Sequence, residues 1–206
     1  MASLTKHIAG LLQGKGTSVV MFRHGESLGN LAGTLTGWTD VRLTEYGRRQ
    51  ANYLYSELHP VLPKVRAIYS SDLARAVETV RYATLWTEPF ETDERLREIY
   101  LGKDEGEHYD SMSPERQAVF NEMSYHAPEG ESWTMVQTRA RQFIKERCTS
   151  QGLYLLFCHG GLICTLTHPF GDKDLLSGCS AVGFQVDAGE MTEMKFRWTC
   201  PEIQTR

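Results

Sequence analysis

No stretch of this chain is apolar for long enough to cross a bilayer as a helix. Basic charge is not in excess either. The formal net charge is -4, which removes any general electrostatic case for nucleic acid or an anionic membrane surface as partner. Cysteine is sparse: Cys148, Cys158, Cys164, Cys179 and Cys200 include no CxxC pair and fall far short of a disulfide framework. Reduced, buried thiols in a cytoplasmic protein are expected. HExxH, HxH and paired Cys/His spacings are missing, so no metal is expected. GxGxxG and Walker loops are missing too, so no nucleotide cofactor is expected. An anionic ligand would therefore have to be met by a positive field built locally.

With 206 residues and 41% hydrophobic composition, the chain can fill one core. Residues 1–16 carry a short, weak apolar stretch ending in glycines and read as a flexible leader. Residues 17–200 read as one domain, with a lid insert at about 91–132, and 201–206 as a tail. Strand-like and helix-like segments alternate. "TSVVMF" is a β-branched strand, and Thr44 caps a helix running to about His59, where Pro60 stops it. "VRAIYS" is a second strand, with Ser71 or Asp72 capping the helix after it. "GLYLLFC" is a third, and a hairpin turns at Asp187-Ala188-Gly189 at or near the sheet edge. The lid has helix starts at Ser113-Pro114 and Ser132. This order predicts a three-layer α/β/α fold with a mostly parallel central sheet and helices on both faces.

The residues just past each strand are chemically pointed. The first strand ends in Arg23-His24-Gly25, the second in Ser70-Ser71-Asp72 with Arg75 one turn on, and the third in Cys158-His159-Gly160-Gly161. Ligands of open α/β sheets bind beyond the carboxyl ends of the strands, where helix N-termini add donors. Two imidazoles and two guanidiniums gathered there make an anion site, and phosphoryl is the natural guest. A neutral histidine can attack phosphorus, and the leaving oxygen then needs a proton from a carboxylic acid. Glu91, Asp93, Glu94, Glu98, Asp104 and Glu105 are all candidates, and composition does not choose among them. Cys158 is no phosphatase nucleophile on this reading, because no arginine comes closely after it.

Taken together, "RHGES" with Asn30, "GWTDVRLTEYGRRQA", "SSDLARAVET", "LREIYLG" and "CHGG" resemble the histidine phosphatase superfamily, which includes the cofactor-dependent phosphoglycerate mutases. The motifs run in order from about Val19 to Gly183. The resemblance implies His24 as the phosphorylated nucleophile, His159 as the second pocket histidine, and Arg23 and Arg75 as phosphate ligands. It also selects Glu98 as the proton donor and places Asn30, Thr36, Gly37 and Gly160 against the substrate. Glu26 and Ser27 are expected to hold the loop or cap the next turn, and Trp38 and Asp40 to be scaffold. After Glu98 the likeness to mutases stops: the segment is shorter, Lys103 and Arg116 stand as isolated bases, and "PEGESW" is more like the phosphatases. The expected activity is metal-independent hydrolysis of a small phosphorylated metabolite. The alternative is a mutase, the one case in which 2,3-bisphosphoglycerate would serve as cofactor. A phosphoprotein phosphatase and a non-catalytic phospho-ligand-binding module are further alternatives. No cofactor, nucleic-acid partner or membrane partner is expected, and the protein is expected to be a monomer or homodimer.

Overall fold

Alternate residues of the first strand enter different cores, and this sets the layering. The strands are β1 (Thr17–Arg23), β2 (Val65–Ser70), β3 (Glu91–Thr92), β4 (Gly152–Cys158), β5 (Ala181–Asp187) and β6 (Glu190–Trp198). The helices are α1 (Leu4–Gln13), α2 (Leu28–Ala32), α3 (Glu45–Leu58), α4 (Ala74–Ala83), α5 (Pro114–Phe120), α6 (Trp133–Arg147) and α7 (Gly160–Thr167). The computed structural model describes residues 2–204. Met1 of the expected leader and Thr205 and Arg206 of the expected tail lie outside the described residues.

Val19 and Met21 of β1 point into a core shared with Phe143 and Ile144 of α6 and Leu162 and Leu166 of α7. Val20 and Phe22 point the other way, toward Leu54 and Leu58 of α3 and Val80 of α4. A strand covered on both faces needs apolar residues at successive positions, hence the unbroken apolar run from Val19 to Phe22. The sheet order is β3-β2-β4-β1-β5-β6. β1, β2, β3 and β4 pair in parallel, and β5 joins β1 antiparallel with β6 outside it. The three layers, the mostly parallel sheet and the edge hairpin follow the sequence pattern.

Two expectations are corrected. Residues 4–13 of the expected flexible leader form α1, whose Leu4, Ile8 and Leu11 are buried in the α3 and α4 core. Spacings of four and three put these residues on one face, and the glycines after them merely end the helix. Thr5 ties α1 to α3 through the Glu57 carboxylate, and His7 stacks on Phe196 with centroids 4.8 Å apart. Burying Leu4 and Ile8 is worth about 1.5–3 kcal/mol each. The second correction is the start of α4. Its cap position is Leu73, and the free Ala74 N–H donates to Asp40 Oδ1 at 2.7 Å, while Asp72 pairs with Arg97. A cap supplied across the fold leaves no local signature. Thr44, Ser113 and Ser132 do cap α3, α5 and α6 as expected.

Candidate active site

In the β1–β4 register Arg23 lies opposite Cys158, so the next residues, His24 and His159, emerge side by side at the carboxyl end of the sheet. The His24 N–H donates to the Cys158 carbonyl at 3.0 Å, which carries the pairing one residue further. The two rings stand edge to face, centroids 5.2 Å apart at 61°. His24 Nδ1 lies 2.6 Å from the Gly25 carbonyl. A carbonyl only accepts, so Nδ1 carries the proton and Nε2 keeps its lone pair. Burial, then the nearby Arg75, pushes both histidines well below their ordinary range. Both rings are therefore neutral, the form in which an imidazole is a nucleophile.

Arg75 reaches this place from the first turn of α4 and is only 1% exposed. Its Nη2 donates to the Gly37 carbonyl at 2.7 Å and its Nη1 to the Thr39 carbonyl at 3.1 Å. Arg23 is anchored to the Leu176 carbonyl. Burial pulls both guanidiniums down from their usual range, against the raising effect of Glu98. Arginine stays protonated in proteins regardless. Arg23 Nε, Arg75 Nε and both His159 ring nitrogens are buried without a protein partner. Buried polar groups normally find partners, so their clustering marks a place prepared for a polar guest.

Of the six carboxylates between 91 and 105, Glu98 alone lines the cavity beside these residues. Its Oε2 accepts from the Gly161 N–H at 2.9 Å, and its Oε1 from Leu162 at 3.0 Å and its neighbour Ile99 at 3.1 Å. Glu98 therefore lies across the N-terminus of α7. Glu105, another of the six, is taken up by the backbone N–H groups of Trp38 and Thr39. The backbone around Glu98 is fixed by Arg139 of α6, which donates to the carbonyls of Arg95, Arg97 and Glu98 and pairs with Glu131. Trp38 Nε1 adds a bond to the Glu98 carbonyl at 2.8 Å. Sequence reasoning missed Arg139, because a helix arginine whose carbonyl partners lie about forty residues away has no local signal.

One cavity of about 1110 Å³ joins these groups, and Arg23, His24, Asn30, Thr36, Gly37, Arg75, Glu98 and Gly160 all line it. His159 is fully buried against His24, beneath that lining. Asn30 Oδ1 is taken by the Ser27 N–H and hydroxyl in a capping box at α2, which orients its amide. Glu26 accepts from the Thr44 hydroxyl at 2.6 Å and holds the loop. Cys158 is buried, and burial pushes its thiol up, away from the reactive thiolate. Lys103 and Arg116 are not isolated: Lys103 pairs with Glu129, and Arg116 with Asp104 and Glu107. Carboxylates so far along the chain, on folded-back turns, do not show as pairs in a linear reading.

The model of the histidine phosphatase superfamily (branch 1) matches residues 19–204. A Hydrogenobacter thermophilus protein provisionally named phosphoserine phosphatase 2 is 32% identical over 158 residues, 71% of this chain and 77% of that one. A crystal structure of phosphoglycerate mutase from Thermus thermophilus superimposes with a TM-score of 0.74 at 31% identity, covering 88% of this chain and 98% of the other. A mycobacterial glucosyl-3-phosphoglycerate phosphatase, solved as its vanadate complex, gives 0.72 at 28% identity, covering 82% and 93%. The pair of neutral histidines, the two arginines and the fold thus carry the mark of one lineage: the chain belongs to the histidine phosphatase superfamily, branch 1, and is an enzyme of the phosphohydrolase and phosphoglycerate mutase-like kind.

Proposed function

We propose that the protein hydrolyses a phosphomonoester through a phosphohistidine. Arg23, Arg75 and His159 hold the phosphoryl oxygens, where the charge of the transition state gathers. His24 Nε2 attacks phosphorus, the N–P bond forms and the P–O bond to the alcohol breaks. Glu98, as general acid, gives a proton to the leaving oxygen. Its Oε2 takes one backbone donor against two at Oε1, so a lone pair remains there for that proton. Water then attacks the phosphohistidine and returns a proton to Glu98, releasing inorganic phosphate and neutral His24. Metal and cofactor take no part in this scheme.

One observation carries hydrolysis over mutase transfer. Arg95, Arg97, Lys103 and Arg116, the Lys and Arg residues of the 91–132 segment, are all in ion pairs, and none lines the cavity. A mutase must grip the second anionic group of its substrate while excluding water. This lid has no free cation for that grip.

A single feature favours the mutase reading. Lys173, on the loop after α7, lines the cavity and makes no ion pair among the described residues. Phosphorus NMR with 3-phosphoglycerate, with and without 2,3-bisphosphoglycerate, separates the two. Free phosphate without 2-phosphoglycerate is the expected result. Bisphosphate-dependent 2-phosphoglycerate would establish the mutase instead.

A further inference from the structure

The cavity is far larger than the phosphoryl site needs. About 1110 Å³ lies just above the range for pockets that enclose drug-sized ligands, roughly 300–1,000 Å³. Its lid wall is aromatic: Tyr109, Phe120 and Trp133 all line it. Phe120 stands at 67° to Tyr109 and 82° to Trp133, with centroids 5.9 and 5.8 Å apart. Trp133 Nε1 donates to the Phe120 carbonyl at 2.9 Å and ties the two rings' segments together.

This wall begins where the leaving oxygen would be protonated. A Cβ on Gly161 would lie 2.6 Å from Glu98 Oε1 and 2.6 Å from Cη2 of Trp133. The carboxyl and the indole edge thus flank one point, and only a glycine leaves them there together. An alcohol departing past Glu98 meets the Trp133 ring next. Charge points the same way. Asp110, Glu122 and Asp174 also line the cavity, against Lys173 as the cation beyond the phosphoryl end. A leaving group with its own negative charge would face a net negative field.

We propose, resting on the phosphatase reading above, that the substrate is the phosphate monoester of an uncharged alcohol bearing an aromatic ring, and that Trp133 and Phe120 contact that ring. Offset or edge-on ring contacts with the wall would hold it.

The test compares two alkyl esters whose leaving alcohols are similarly basic, 2-(1-naphthyl)ethyl phosphate and ethyl phosphate, with 3-phosphoglycerate as the charged control. The naphthyl ester is expected to exceed both in kcat/KM by roughly 30-fold or more, from burial of its rings. In Trp133→Leu and in Phe120→Ala the ratio of naphthyl to ethyl ester should fall about tenfold. A ratio between two substrates does not depend on the fraction of folded enzyme, so a variant that folds poorly still reports. Hydrolysis of all three esters with equal kcat/KM, or a ratio unmoved in both variants, overturns the ring assignment and leaves the phosphatase reading standing. Absence of phosphate release from every ester overturns both.

Discussion

Glu98 and Arg139 are joined through the backbone: the guanidinium donates to the Glu98 carbonyl at 2.8 Å while the Glu98 carboxylate reaches α7. Arg139 therefore positions the acid without touching the cavity. Arg139→Met should lower kcat on alkyl esters about tenfold or more through a misplaced acid, with aryl phosphates much less affected. Steady-state kinetics on both ester types checks this. Equal losses on the two would make Arg139 purely structural.

Glu98→Gln should likewise slow alkyl phosphates far more than aryl phosphates, whose leaving groups need little protonation. The amide nitrogen would also face the Gly161 or the Leu162 N–H, donor against donor. A drop in stability of about 1–3 kcal/mol is expected with it, read from urea unfolding.

His24→Ala should abolish turnover, since no other side chain is placed to carry the phosphoryl group. Quenching wild type during turnover and finding no acid-labile, base-stable phosphate on the protein would overturn the covalent route.

Both buried histidines bear on acid stability. Their folded pKa values lie well below that of the unfolded chain, near 6.5. Between these values the unfolded chain binds more protons, so the contribution to stability is full above about pH 6.5 and is lost as pH falls through the folded values. His159→Gln should flatten the acid side of the Tm-against-pH curve. An unchanged slope would locate the effect elsewhere.

Vanadate, which takes the geometry of the phosphoryl in flight, should inhibit and raise Tm by engaging the unpartnered nitrogens of Arg23, Arg75 and His159. Chelators should leave turnover unchanged. Loss of activity with EDTA, restored by a metal, would contradict the scheme.

Much of this site could be read before the fold was seen, and for a physical reason. Strand ends deliver residues to one edge of a parallel sheet, so finding β1, β2 and β4 placed His24, His159, Arg23 and Arg75 together. Glu98 needed the family resemblance, because six carboxylates of similar context compete and only folding turns one onto α7. The Asp40 cap of α4, the Arg139 clamp and the lid ion pairs stayed hidden, since each joins residues that are remote in sequence or meet across a turn. The α1 helix was legible in principle at Leu4, Ile8 and Leu11, but its glycines and its terminal position obscured the pattern.

The pairing of β1 has a bearing on biosynthesis. Its partners are β4, through Thr17 opposite Gly152, and β5, through Ser18 opposite Gln185. The segment that carries His24 leaves the ribosome well before either of the strands it pairs with. Closing loops of that length is entropically costly and slows folding. Until β4 and β5 emerge, the nascent chain therefore holds an apolar strand, Val19 to Phe22, with neither neighbour to cover its edges.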